Sequence, residues 1–509
     1  MGQSEVSLSS GYSSSYISNS GAVIWSFDRD LLHNSINKYV ASGNLWLGGF
    51  DERENLRVAA VGWLTTTGSD YYPGPLDPDT GFPYQVDCGD WDRIWKVTRA
   101  DIEAHRIDYM DGRIDNPRTA IYAWPGRASE VFADFNSFEL PADVDLAPYA
   151  DLNGNGIYEP DLGEYPEVPG DEACWFVIND SGGPHNASLG TPLQAEVQVL
   201  VYVYESSLLE VALTTFAQVT VINRGAFDLK HAIAGLNVIP NLPCYDHTFG
   251  IDTIRDIVFG YGIDETPCHV GTGDLDTAYI AMSLIDGPQP QGGIAKFMTY
   301  DRINQITSAP RVPEEYYNYM SGFWKNDIPW TFGGSGYNPG SVDTVDYLYP
   351  GNPIDSTAWS MCTTGLPYDD RRVVMSLTPV DLPRGSSMSF TYAMTYGRNI
   401  SSSCQDMEPV LARLEELQNY GQVVSSIEPA SSQWQEVFIH PNPAHDVCMI
   451  SATPIPIRRV ALCDIGGRCI LDRYTDQHTI DVADLSTGVY LVTIELTDGS
   501  RIVERLLVK

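Results

Sequence analysis

Apolar and polar positions alternate with a period of two through most of the chain, which predicts strands far more often than helices. In Ala195–Glu205 (AEVQVLVYVYE), Val197, Val199, Val201 and Val203 share one face, with Glu196, Gln198, Leu200, Tyr202 and Tyr204 on the other. Leu45 and Leu47, then Leu56, Val58 and Ala60, alternate about the polar turn Asp51–Asn55, a hairpin with one buried face. The runs ending at Asn223 and starting at Leu229 follow at hairpin spacing, with Asn223-Arg224-Gly225 as the expected turn. Further strands are expected at Trp91–Val97, Asp256–Gly260, Thr277–Leu284, Gly293–Tyr300, Arg372–Thr378 and Ser387–Tyr396. Helical signals are few. Thr98 caps a short helix reaching about Met110, with Asp101 in its first turn. Val410, Leu411, Leu414 and Leu417 fall at helical spacing within Asp406–Asn419. Strands without long intervening helices make an antiparallel sandwich and not a βαβ fold.

The last stretch, Val437–Lys509, has a pattern of its own: short alternating strands separated by Pro, Asn, Asp and Gly turns. Pro441-Asn442-Pro443 marks a strand end, since proline has no amide to give a central strand. The turn at Ile465-Gly466-Gly467 sets Cys463 and Cys469 across a hairpin, within reach of a bridge. The fold expected is mainly β: an antiparallel β-sandwich main domain with a few short helices, plus a small C-terminal Ig-like β-sandwich. Five segments follow. Residues 1–30 are a flexible leader, whose Ser-rich opening through Ser20 reads alternatively as an edge strand, and 31–190 a β-rich region. Residues 191–423 are sandwich strands ending in a helix, forming one unit with the preceding region. Residues 424–434 are a linker and 435–509 the tail domain.

The tail resembles the type A C-terminal sorting domain of the type IX secretion system of Bacteroidota. The resemblance rests on Pro441-Asn442-Pro443, the hairpin Asp464–Arg468, the run Leu485–Tyr490 with Gly488 and Tyr490, and a short basic end, in that order. It implies a secreted or outer-membrane surface protein, with the type IX translocon as partner and a surface glycan or lipopolysaccharide as possible anchor. It also implies a signal peptide. Residues 1–30 hold no basic stretch followed by an apolar one, so such a peptide is expected to have been trimmed or missed ahead of Met1. Trp46–Gly49, Leu56–Ala60, Pro73–Leu76 and the string DLNGNGIYEP…GEYP resemble uncharacterised secreted proteins of Bacteroidota, a likeness that implies no activity.

Charge narrows the partners. The 67 acidic residues against 30 basic give a formal charge of −37, which disfavours nucleic acid and anionic lipid. It suits solubility and divalent cations. Of nine cysteines, six precede residue 405, and Cys244 and Cys268 are the easiest of these to pair. No stretch approaches eighteen apolar residues, so no transmembrane segment is expected.

The strongest chemical signal is Asp151–Glu164. Asp151, Asn153 and Asn155 alternate, Gly156 follows, and the Ile157 carbonyl stands at the seventh position. Calcium loops place oxygen donors this way because the chain must curl around one ion. The second half departs from an EF-hand: Leu162 occupies the twelfth position, and Pro160 blocks an exit helix. The expectation is a non-helical Ca2+ loop of Asp151, Asn153, Asn155 and the Ile157 carbonyl, closed by Glu159 or Asp161.

Searches for catalytic signatures fail. The chain has no HExxH, paired CxxC, phosphate-binding loop or dinucleotide fingerprint, and around Gly334-Ser335-Gly336 Tyr337 stands where a nucleophile elbow needs its last glycine. His231, His247 and His269 share no ligand spacing. Two readings remain: a calcium-stabilised binding, adhesion or structural protein, favoured, and an extracellular hydrolase of glycans or peptides built on the aromatic loops and acids.

Overall fold

The structure is a computed structural model. It describes residues 4–10, 13–30, 40–62, 68–84, 89–141, 144–206, 209–240, 247–262, 278–288, 292–301, 306–366, 371–398, 411, 415, 437–440, 442–452, 457–464, 468–474, 479–496 and 501–509. The chain divides into two compact units, one of Met1–Glu205 with Leu209–Ser425, the other of Ser426–Lys509 with Ser206–Leu208.

In the larger unit the early strands are β1 (Glu5–Ser9), β2 (Ser13–Ser18), β3 (Ala22–Asp30), β4 (Val40–Phe50), β5 (Leu56–Ala60), β6 (Tyr72–Pro73) and β7 (Trp95–Thr98). The middle strands are β8 (Glu172–Asn179), β9 (Ala195–Val203), β10 (Thr214–Asn223), β11 (Leu229–Pro240), β12 (His247–Asp252) and β13 (Ile257–Gly262). The late ones are β14 (Ala278–Asp286), β15 (Ile294–Tyr300), β16 (Arg372–Leu377), β17 (Val380–Leu382) and β18 (Ser387–Arg398). Short helices are α1 (Arg99–Asp108), α2 (Thr119–Tyr122), α3 (Phe132–Asn136), α4 (Leu209–Ala212) and α5 (Pro313–Ser321).

Two antiparallel sheets enclose one core. The first runs β1-β2-β3-β4-β11-β16-β15, with β5 on β4 and β17 on β11; the second runs β12-β13-β14-β18-β10-β9-β8-β6, with β7 on β8. Val197, Val199, Val201 and Val203 enter the core with Leu45, Leu47 and Val58 from the first sheet. The opposite faces are covered too. Trp46 meets Tyr316 of α5 edge-on at 4.8 Å, and Phe50 meets Tyr317 at 4.9 Å. The aromatic stretch after residue 309 therefore covers a sheet: Tyr319, Trp324, Trp330 and Leu348 are buried in the same core. On the second sheet, Trp175 packs 5.9 Å from Trp95, which packs against Phe132 of α3. Thr98 caps α1 by accepting from the Asp101 amide, as its sequence predicts.

Two expectations need correction. Residues 1–30 are not a leader: β1–β3 pair into the first sheet, and Leu8 and Ile17 have zero exposure. The serines disguise this because their hydroxyls are satisfied internally; Ser13 donates to the Ala212 carbonyl and Ser15 meets Thr215. Asn223-Arg224-Gly225 is not a hairpin turn but an arch from the second sheet to the first. Both edges of β10 are occupied, by β9 and β18, so β11 pairs with β4 and β16. The 424–434 linker, Cys244, Cys268, His269 and most of Asp406–Asn419 lie outside the described residues.

The smaller unit comprises β19 (Val437–His440), β20 (Val447–Ala452), β21 (Ile457–Asp464), β22 (Cys469–Tyr474), β23 (Thr479–Asp481), β24 (Gly488–Leu496) and β25 (Arg501–Val508). They form two sheets, β19-β20-β23 and β22-β21-β24-β25, over a separate core that includes Ile450, Val460, Ile480, Val492 and Leu506. Cys463 and Cys469 are bonded across the β21–β22 hairpin.

Candidate functional site

The loop Asp151–Glu164 lies between α3 and β8 and is organised by one side chain. Asp151 Oδ1 accepts from the amides of Gly154 (2.7 Å) and Asn155 (3.2 Å), and Oδ2 from Gly156 (2.7 Å). Asn153 Oδ1 accepts from the Asn155 amide at 3.0 Å, and Asn155 Oδ1 from the Ile157 amide at 2.7 Å. Gly154 and Gly156 take positive φ (74° and 75°), and these reversals allow three successive amides to face one carboxylate. Both amide groups, Asn153 Nδ2 and Asn155 Nδ2, donate to Glu159 Oε2, at 2.8 and 2.6 Å.

Four of the six expected ligands, Asp151, Asn153, Asn155 and Glu159, are thus drawn together, whereas Ile157 reaches Asn155 through its backbone amide and not through the expected carbonyl. Asp161 is not among them: its Oδ1 accepts from the Tyr122 hydroxyl at 2.6 Å, which ties it to α2. The residue that closes the loop is Glu164, at zero exposure. Its Oε1 accepts from the Leu152 amide at 3.0 Å and its Oε2 from the Glu159 amide at 2.7 Å. Sequence spacing passed over it because it lies beyond the twelve positions of an EF-hand loop. Gly163 was the available signal: its φ is +84°, and a Cβ there would stand 2.3 Å from the Tyr109 ring.

Negative charge is concentrated in this loop. Burial raises the Glu164 carboxyl above its ordinary range, against the amides of Glu159 and Leu152, and the charges of Asp151 and Glu159 push the same way. Tyr149 is pushed up to about 12 by burial, then by the charges of Asp151 and Glu164. Among the described residues no group of three His, Cys, Asp or Glu side chains is arranged to hold a metal. The side-chain oxygens of Asp151, Asn153 and Asn155 accept instead from backbone amides of the loop.

In the tail, the motif residues meet around the last strand. Asn442 Oδ1 accepts from the Leu507 amide at 2.8 Å, and the Asn442–Pro443 peptide is cis. The Ala444 amide donates to the Leu507 carbonyl, and Lys509 returns the bond to Ala444. Gly488 pairs with Val508, and Tyr490 with Leu506 and Asp464. The Tyr490 hydroxyl donates to the Ser486 carbonyl at 2.8 Å. Pro441 lies outside the described residues.

Two surface hollows lie among the described residues. One of about 320 Å³ is bordered by Glu5, Arg93, Trp95 and Asn136; another of about 300 Å³ by Phe50, His231, Lys296, Tyr317 and Met320. Neither is lined by the two carboxylates that ordinary glycoside hydrolysis uses. In Tyr71-Tyr72-Pro73, Tyr71 is fully buried, and Tyr72 is fixed by its hydroxyl donating to the Pro184 carbonyl at 2.6 Å.

Residues 438–509 match the family described as the secretion system C-terminal sorting domain. No curated protein matches the chain. Solved structures give distant likenesses. A polysaccharide lyase shares 7% identity at a TM-score of 0.17, over 62% of this chain and 34% of the lyase. A candidate aldose 1-epimerase from Escherichia coli shares 12% at 0.24, over 77% and 99%. PorZ, a surface component of the type IX secretion system of Porphyromonas gingivalis, shares 10% at 0.13, over 57% and 43%. The chain thus spans about a third of the lyase and less than half of PorZ. Likenesses at these scores carry no argument about function.

Proposed function

We propose that this chain, whose last 72 residues are a type IX secretion sorting domain, is a secreted or cell-surface binding or structural protein stabilised by calcium. The sorting domain implies export by the type IX machinery and so a place outside the cell. The calcium reading rests on one observation: a loop in which Asp151 gathers three amides while Asn153, Asn155 and Glu159 interlock beside it. Asp151, Asn153, Asn155, Glu159 and the Ile157 carbonyl would hold the ion, with Glu164 bracing the loop from beneath. The bound ion would supply positive charge to a loop that concentrates carboxylates.

The loop is placed to transmit such stabilisation. Tyr158, fully buried, donates to the Ile121 carbonyl at 2.9 Å, Tyr122 holds Asp161, and Arg106 of α1 stacks over Tyr165 at 4.9 Å. Ordering the loop would therefore order α1 and α2, which pack against β7 of the second sheet. A surface glycan or lipopolysaccharide anchor after export belongs to the same reading.

Thermal unfolding of the full chain in calcium and in chelator tests this. Wild type should melt higher in calcium, by an increment that grows with concentration. Asp151→Ala should lose the increment, and Glu167→Ala, outside the loop, should keep it. Identical wild-type melting in calcium and chelator would refute the calcium reading.

A further inference from the structure

The connection between β8 and β9 is pinned by a buried histidine that neither the sorting tail nor the 151–164 loop uses. The His185 side chain is 1% exposed. Its Nδ1 lies 2.8 Å from the Val58 carbonyl oxygen on β5, and its Nε2 lies 2.7 Å from the Asp180 carbonyl oxygen at the end of β8. A carbonyl oxygen accepts and never donates, so both bonds form only if each ring nitrogen carries a proton. A ring that donates from both nitrogens is an imidazolium, and two carboxyl groups face it. Asp70 Oδ2 is 3.7 Å from Nδ1 and Asp180 Oδ2 is 3.8 Å from Nε2, both carboxylates at zero exposure.

Each carboxylate also holds backbone. Asp70 accepts from the amides of Ala60 (3.0 Å), Ala187 (2.8 Å) and Ser188 (3.1 Å). Asp180 accepts from Leu193 (2.5 Å) and Ala195 (2.8 Å). Three side chains therefore join β5 of the first sheet to β8, to the start of β9 and to the connection between them. No other titratable group named around the cluster can take over the charge on the ring. Tyr71, whose hydroxyl bonds to the Ala59 carbonyl, is held well above the ordinary phenol range by burial, then by Asp180 and Asp70. Tyr316 of α5, raised by burial and then by Tyr300 and Asp70, reaches the Ala187 carbonyl as a neutral phenol. Arg57 on β5 binds the Pro192 carbonyl at 2.6 Å but spends its charge on Asp51, and Glu196 on β9 is paired with Arg224.

We propose that His185, held doubly protonated between Asp70 and Asp180, is a charged lock that fastens the 181–195 connection to β5. A neutral ring can donate to only one of the two carbonyls, and it leaves two buried carboxylates without a counter-charge. Burial raises the Asp180 carboxyl above its ordinary range, and the His185 charge with the Ala195 and Leu193 amides acts against that.

Ring-nitrogen NMR on histidine-labelled full-length protein tests the protonation, with His185 assigned by the signal missing in His185→Gln. At pH 7.5 both His185 nitrogens should show imidazolium shifts; a neutral tautomer in the folded protein would overturn the proposal. Hydrogen exchange on wild type and His185→Gln tests the lock. The Ala187, Ser188, Leu193 and Ala195 amides should lose protection together in the variant, while control amides in β10 keep theirs. Protection of these four amides that matches wild type would overturn it.

Discussion

Replacing Arg224 with methionine should damage the arch that carries the chain from the second sheet to the first. The guanidinium reaches Glu196 with Nη2 3.0 Å from Oε1 and Nε 3.2 Å from Oε2. Glu196 has zero exposure, and the Arg224 side chain is 14% exposed, so solvent screens the pair little. The carboxylate keeps two donors, the Leu76 amide at 2.9 Å and Gln198 Nε2 at 2.9 Å, but no counter-charge. Stranding a buried charge in this way costs about 3–5 kcal/mol. Methionine retains much of the arginine stem, which keeps the packing loss small. The double variant Arg224→Met with Glu196→Gln removes both charges and should recover most of the loss, because a buried pair contributes little net stability beyond a neutral replacement. Denaturant unfolding of the four proteins of this cycle, followed by tryptophan fluorescence, measures each step. A loss below about 1 kcal/mol for Arg224→Met, or a double variant no better than the single, would refute the reasoning.

Asp51 predicts a response to acid. Burial alone would raise its carboxyl, but bonds from Asn55, Arg57 and Arg53 outweigh this and hold it well below the carboxylate range. A carboxyl depressed in the fold stabilises above its unfolded value, near 4, and loses that contribution as pH falls through the folded value. Asp51→Asn should therefore be less stable than wild type at pH 6, with the difference shrinking towards pH 2 in acid titrations followed by circular dichroism. Gly163→Ala should lower the melting temperature, since a Cβ there meets the Tyr109 ring at 2.3 Å on a left-handed backbone; Gly385→Ala, also at positive φ but in open space, should cost less in the same melt.

Much of the fold was legible because alternation survives wherever one face of a strand is buried. The Val197–Val203 stripe enters the core as the pattern requires, and the Asp51–Asn55 turn closes β4 onto β5. The pattern failed where local cues stand for distant partners. Ser13 and Ser15 read as solvated, yet their hydroxyls meet Ala212 and Thr215, about two hundred residues away. Hairpin spacing after Asn223 was right in length and wrong in partner, because whether β10 has a free edge depends on β18, far along the chain. In the candidate site, i, i+2, i+4 spacing located Asp151, Asn153 and Asn155. Nothing local assigned Asp161 to Tyr122 or placed Glu164 beneath the loop.

The most direct test of the account is secretion without the tail. A chain ending before Phe438, expressed in a host with a type IX system, should fold, resist protease as the full-length body does, and accumulate in the periplasm. The full-length chain should reach the surface or medium. The tail's own sheets and core make this division possible. Export of the truncated chain at the full-length level would contradict the account.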